Sequence, residues 1–197
     1  MKKEHFVIVV PGLGDGERSM KLLTGHWRKH GLEPVVQLME WRNGEDFMPK
    51  LGRLTRLIDE LAERGKVSLV GTSAGGSAAI NAFGERKDKI HRVVNVCGRL
   101  RVGTHVGIHG FEARTTSSPA FAQSVRLLEK RENEFNKKDR EKIMTIHALF
   151  GDELVPKNTT TIEGANNITV PMFEHVLSIT AALTVFSGPL IRFLLEP

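Results

Sequence analysis

Val67-Ser68-Leu69-Val70-Gly71-Thr72-Ser73-Ala74-Gly75-Gly76 is the stretch on which the reading of the fold turns. Gly71 to Gly75 fits Gly-x-Ser-x-Gly, with an apolar strand-like run before it and a small-residue, helix-like run after it. A chain that turns sharply from strand to helix forces its middle residue into a strained conformation. The residues two before and two after must then lack side chains that would collide. Ser73 is expected at the apex with its hydroxyl exposed. By itself such a match is also met in a Gly/Ser-rich loop without chemistry, so its meaning depends on partners elsewhere in the chain.

Upstream, Phe6 to Val10 is an apolar, mostly β-branched run ending at Pro11-Gly12, as suits a strand buried on both faces of a parallel sheet. The loop Gly12-Leu13-Gly14-Asp15-Gly16 has neither Gly-x-Gly-x-x-Gly spacing nor a following Gly-Lys-Ser/Thr, which argues against a dinucleotide or P-loop site. Its glycines instead let backbone N–H groups approach a ligand. Ser19 to His30 reads as a helix closing at Gly31, and Glu33 to Met39 as a strand. Phe47, Leu51, Leu54, Ile58 and Leu61 recur at helical spacing.

Downstream, Ala78, Ala79 and Ala82 make a slim helix able to pack close to a sheet, and Val93 to Val96 is a fourth strand. Arg99 to Pro119 loses periodicity and reads as an irregular excursion over the active-site edge, too short for a full cap domain. Helices follow over 119–134 and 137–142. A fifth strand spans Ile143 to Phe150, a sixth lies within Thr160 to Val170, and a C-terminal helix starts near His175 and breaks near Gly188. Alternation of strands and helices predicts one α/β domain over residues 1–197, a mostly parallel sheet with helices on both faces. Sites in such sheets lie at the carboxyl ends of the strands.

Composition narrows the partners. The chain of 197 residues carries a formal charge of +5, but the densest basic segment, Arg126 to Lys142, is interleaved with Glu129, Glu132, Glu134, Asp139 and Glu141. That pattern is a solvated helical face and not a nucleic-acid footprint, although weak contact with a membrane surface is compatible with it. Cys97 is the sole cysteine, so an internal disulfide is excluded and a reducing, cytoplasmic setting is expected. The N-terminal apolar run is too short for a signal peptide. Val176 to Leu195 contains Gly188-Pro189 and Arg192, and so reads as a buried, broken helix and not a transmembrane span.

A serine hydroxyl becomes a useful nucleophile when a base takes its proton and an acid orients that base. Of eight histidines, His5, His26 and His30 precede the Ser73 turn, His91 and His147 lie at or in strands, and His105 and His109 fall in the excursion. Only His175 sits past the last strand in a loop before a helix, which makes it the expected base. Among the later aspartates, Asp88 and Asp139 read as solvated surface, whereas Asp152 follows a strand at the right edge; Glu153 is the fallback acid. The N–H of Ala74, at the start of the next helix, and that of Leu13, after Gly12, are the expected oxyanion donors, each contributing about 3 to 4 kcal/mol where such donors have been removed in other systems.

In this order of motifs, from Pro11 to His175, the chain resembles the α/β-hydrolases, and within them the small lipases and esterases with little or no cap. The resemblance implies hydrolysis of a small-molecule ester or thioester through an acyl-enzyme on Ser73, with His175 as base, Asp152 as acid and Leu13 and Ala74 as the oxyanion hole. It implies no cofactor and no metal. Three departures are visible: Pro11-Gly12 stands where the family often has His-Gly, Glu174 stands where glycine commonly precedes the histidine, and the chain begins at what corresponds to the family's third strand. The last predicts a trimmed sheet of about six strands. The rival readings are a catalytically silent binding or regulatory protein on the same fold, and a triad enzyme of other chemistry such as amide hydrolysis or acyl transfer. Arg99, Arg101 and Arg114 read as solvated side chains, with attraction for an acidic leaving group or lipid headgroup as the alternative; Phe111, Phe121 and Phe173 line an acyl pocket or fill core.

Overall fold

The computed structural model describes residues 4–14, 16–104 and 110–197, with the side chain of Arg114 left out; Asp15, His105 and His109 lie outside the described residues. Six strands form one sheet: β1 (Glu4–Val10), β2 (Glu33–Val36), β3 (Gly65–Thr72), β4 (Ile90–Val96), β5 (Ile143–Ala148) and β6 (Asn166–Val170). Their order is β2-β1-β3-β4-β5-β6 and every pairing is parallel. The sheet grows from β1 outward in both directions, so the strand order reverses between β1 and β3. In doubly wound sheets the crevice at that reversal is where ligands bind. The loops after β1 and β3 carry Leu13 and Ser73.

Both faces of the sheet are covered, which is why β1 is apolar without alternation. Phe6, Ile8 and Val10 pack into a core shared with α2 (Phe47–Ala62), α3 (Ala74–Glu85), α4 (Phe111–Thr115) and α5 (Pro119–Arg131). Val7 and Val9 face the opposite core with α1 (Glu17–Thr24), α7 (His175–Leu183) and α8 (Gly188–Leu195). Removing Ile8 or Leu69, both fully buried, from water contributes about 1.5 to 3 kcal/mol apiece. The alanines of α3 let that helix lie close to β3 and β4, and two of its buried polar groups bond to α5: Ser77 Oγ meets Ser124 Oγ at 2.6 Å and Asn81 Nδ2 donates to the Ser124 carbonyl at 2.8 Å.

Several boundaries differ from the sequence expectation. The helix expected over 19–30 is α1 followed by a 3-10 segment, Gly25–His30, closed by Gly31 at φ +80°. β2 stops at Val36, because β1 ends at Val10 and Pro11 has no N–H to extend the ladder. Among its described residues the excursion contains a short helix, α4. The Arg126–Lys142 region ends in α6 (Lys137–Glu141), where Asn136 and Asp139 form a reciprocal capping box and Asp139 pairs with Lys87 at 2.8 Å. Asp139 is therefore buried and not solvated. The C-terminal break falls at 184–187, just before Gly188; α7 and α8 are bent by 53°, and among the described residues no single helix is long and apolar enough to cross a membrane.

Candidate active site

The turn after β3 has the strain its glycines anticipate. Ser73 sits at φ +51°, ψ −124°, its N–H bonded to the Val96 carbonyl at 3.0 Å. A Cβ on Gly71 would run into the Gly75 carbonyl, and one on Gly75 into the Val10 carbonyl. Gly12 approaches from the β1 loop: a Cβ there would lie 2.7 Å from Ser73 Cβ. That loop is braced from behind by Trp41, whose Nε1 donates to the Pro11 carbonyl at 3.0 Å, while Ser118 Oγ donates to the Trp41 carbonyl at 2.7 Å.

His175 opens α7 and is 4% exposed. Its Nε2 stands 2.9 Å from Ser73 Oγ, and its Nδ1 is 2.7 Å from Asp152 Oδ2. The other Asp152 oxygen, Oδ1, accepts the N–H groups of Leu154 and Val155, both at 2.9 Å, so the carboxylate is held at both ends. Glu153 takes a different part: its carboxylate accepts the backbone N–H of His175, at 3.2 Å to Oε2. Glu174, at the position where glycine was expected, adopts φ +71° and caps α7 by accepting from Val176 and Leu177 N–H. These two backbone N–H groups hold its carboxyl below the usual carboxylate range. Ala74, 1% exposed, begins α3 directly after Ser73, where the helix N-terminus favours negative charge.

A cavity of about 190 Å³ opens on Ser73, lined by Leu13, Arg42, Arg99, Ser117, Phe121, Leu154 and Val155. Larger surface hollows lie away from Ser73: between α4 and α5, by Asp59 and Lys89, and by Lys137 and Gly164. Of the three phenylalanines considered, Phe121 lines the Ser73 cavity, Phe111 lies in the core and Phe173 is 63% exposed. Arg101 is tied to Glu132 and to the Thr161 carbonyl. Arg99 departs from expectation: it is 2% exposed and lines the cavity, with its guanidinium 5.6 Å from the Phe111 ring centroid. No local pattern around Arg99 signals burial, since the segments that cover it are distant in sequence. Cys97, at φ +51° beside the site, has its thiol pushed up by burial and by the Asp152 charge, which disfavours a thiolate. Among the described residues, no group of three or more His, Cys, Asp or Glu side chains converges as a metal-ligand set would.

Neither family models nor curated proteins match the sequence. Solved structures do match it along nearly its whole length. A pyrethroid hydrolase, PytH, aligns with a TM-score of 0.67 at 14% identity, covering 98% of each chain. The monoacylglycerol lipase of Paleococcus ferrophilus aligns at 0.64 and 13% identity, covering 98% of this chain and 95% of that one. A thioesterase domain from the curacin biosynthetic pathway aligns at 0.63 and 13% identity, covering 98% and 92%. With its parallel six-stranded sheet and flanking helices, the chain is built on the α/β-hydrolase fold.

Proposed function

We propose that the protein is a serine hydrolase that cleaves a small carboxylic ester or thioester through an acyl-enzyme on Ser73. The observation that carries this reading is the unbroken line from Asp152 Oδ2 to His175 Nδ1 (2.7 Å) and from His175 Nε2 to Ser73 Oγ (2.9 Å), at the mouth of a cavity. A carboxylate only accepts hydrogen bonds, so Asp152 selects the tautomer with the proton on Nδ1. The lone pair on Nε2 then faces the serine hydroxyl, which donates to it.

In this reading Ser73 Oγ attacks the carbonyl carbon while its proton passes to His175 Nε2. The Ala74 and Leu13 N–H groups hold the developing oxyanion. Collapse expels the alcohol or thiol, protonated by His175. A water deprotonated by His175 then attacks the acyl carbon and releases the acid with Ser73 restored. The neighbours act on varied substrates, the monoacylglycerol lipase and the pyrethroid hydrolase among them, so the leaving group is not fixed by likeness. The size of the cavity favours a short one: about 190 Å³ is below the roughly 300 to 1,000 Å³ of sites for drug-sized ligands. Labelling by a fluorophosphonate probe, with p-nitrophenyl butyrate turnover alongside, tests the proposal. Label and turnover present in the wild-type chain and absent from folded Ser73→Ala support it; a label that persists in that variant overturns it.

A further inference from the structure

The cavity on Ser73 is apolar on one side, through Leu13, Phe121, Leu154 and Val155, and cationic on the other, through Arg42 and Arg99. Among the described residues that line it, none is acidic. We propose that these two arginines form an anion subsite, so that the favoured substrate is an ester or thioester bearing a carboxylate close to the scissile carbonyl. The proposal rests on the serine-hydrolase reading and names the substrate class of the same site.

The two guanidinium groups differ in setting. Arg99 is 2% exposed and lines the cavity, with the Phe111 ring alongside. A positive charge so placed acts on a bound anion with little solvent screening. Arg42 is exposed at the rim and has no hydrogen bond, ion pair or ring contact among the described residues. Several other arginines of the chain are engaged in ion pairs: Arg101 with Glu132, Arg126 with Glu112, and Arg131 with Glu85. Arg42 is thus an available planar donor facing the same space as the nucleophile. The guanidinium fork matches a carboxylate in two parallel hydrogen bonds, which a lysine would not reproduce. A cavity of about 190 Å³ places such an anion within a short chain of the reacting carbon.

The test compares esters that differ only in the terminal group. Monoethyl succinate against ethyl succinamate reports an anion on the acyl side; acetoxyacetate against acetoxyacetamide reports one on the alcohol side. The expected result is a kcat/KM at least about tenfold higher for the acid than for the amide in one pair, the pair identifying the side. Arg42→Ala is expected to collapse that ratio toward one, and salt to diminish it in the wild-type chain. Lys29→Ala removes an equal charge from a remote exposed position and is expected to keep the ratio. Arg99→Met is read the same way where thermal unfolding shows it folded; Arg42, being exposed, keeps the test decisive where it is not.

Equal rates on acid and amide in both pairs would overturn the proposal, as would a ratio that falls equally in Lys29→Ala. Calorimetric titration of glutarate into the Ser73→Ala chain gives a measure independent of turnover. Binding that is lost when Arg42→Ala is added supports the subsite, and no binding, or binding indifferent to Arg42, overturns it. An absence of any p-nitrophenyl butyrate turnover would instead strike the serine-hydrolase reading, and leaves the glutarate titration standing as the test of the anion subsite.

Discussion

The sheet carries a histidine–serine pair at each end, and the two are alike in distance. At the carboxyl edge His175 Nε2 lies 2.9 Å from Ser73 Oγ; at the amino edge His5 Nε2 lies 2.9 Å from Ser68 Oγ. What surrounds them differs. His175 has the Asp152 carboxylate on its other nitrogen, whereas His5 is pressed edge-on against His91, their ring centroids 5.5 Å apart, with Lys66 close by. Burial, aided by the nearby His91 ring and the Lys66 charge, lowers the His5 pKa to about 4. Ser68 is fully buried in the run of β3, while Ser73 is lifted by a strained turn onto a cavity. A histidine–serine contact is therefore ordinary structural glue unless an acid orients the base and a strained turn exposes the nucleophile.

The largest expected difference comes from deleting each hydroxyl. Ser73→Ala is expected to lower ester turnover by at least about 10⁴-fold with little loss of stability, since in the proposed mechanism Ser73, His175 and Asp152 act as a unit. Ser68→Ala is expected to keep turnover and to lower stability by about 1 kcal/mol, measured by urea unfolding, because it deprives buried His5 of its partner. Comparable loss of turnover in both variants would erase the distinction. Next in size is the acid. Asp152→Asn should reduce kcat by about 10³- to 10⁴-fold, through a wrong tautomer at His175. Glu153→Gln, which keeps an acceptor for the His175 backbone N–H, should stay within about tenfold of wild type. The reverse ranking would transfer the acid role to Glu153.

A smaller effect concerns how His175 is delivered. Glu174 stands at φ +71° and also caps α7, so its side chain stabilises what its backbone strains. Glu174→Ala removes the cap and retains the strain; Glu174→Gly removes both. The melting temperature is therefore expected to fall more for alanine than for glycine, and an equal fall would mean that the strain there is negligible.

What the sequence disclosed, and what it withheld, follows the same division between local and distant causes. The Ser73 turn is legible because half of its sterics is local: a Cβ on Gly71 would meet Gly75 and Gly76 just ahead, although one on Gly75 would meet Val10 and Pro11 of the neighbouring strand end. Apolar runs with no alternation announced a sheet covered on both faces, and chain order then led to Asp152 and His175. Sequence position favours Asp152 over Glu153 as the acid but not the part Glu153 takes, because only the folded loop decides which carboxylate meets the ring and which meets the backbone. Arg99 and Asp139 were read as solvated for the same reason. Arg99 shares its cavity with Leu154 and Val155, and Asp139 pairs with Lys87, contacts that span about fifty residues in each case.

The pH dependence of stability separates the two histidines last. His5 is neutral in the folded chain down to about pH 4, against an ordinary value of 6.5 in the unfolded one. Between those values the unfolded state binds more protons, so stability rises with pH across this window. The contribution is fully present above pH 6.5 and is lost as pH falls through 6.5 toward 4. His91 and His147 are lowered as well, chiefly by burial, and act with the same sign. His5→Gln keeps a polar partner for Ser68 but cannot titrate. It should therefore flatten, without abolishing, the decline in melting temperature between pH 6.5 and 4, and leave the pH profile of ester turnover unmoved. A turnover profile that shifted with this substitution would mean that the amino edge communicates with Ser73, and the two pairs would no longer be independent.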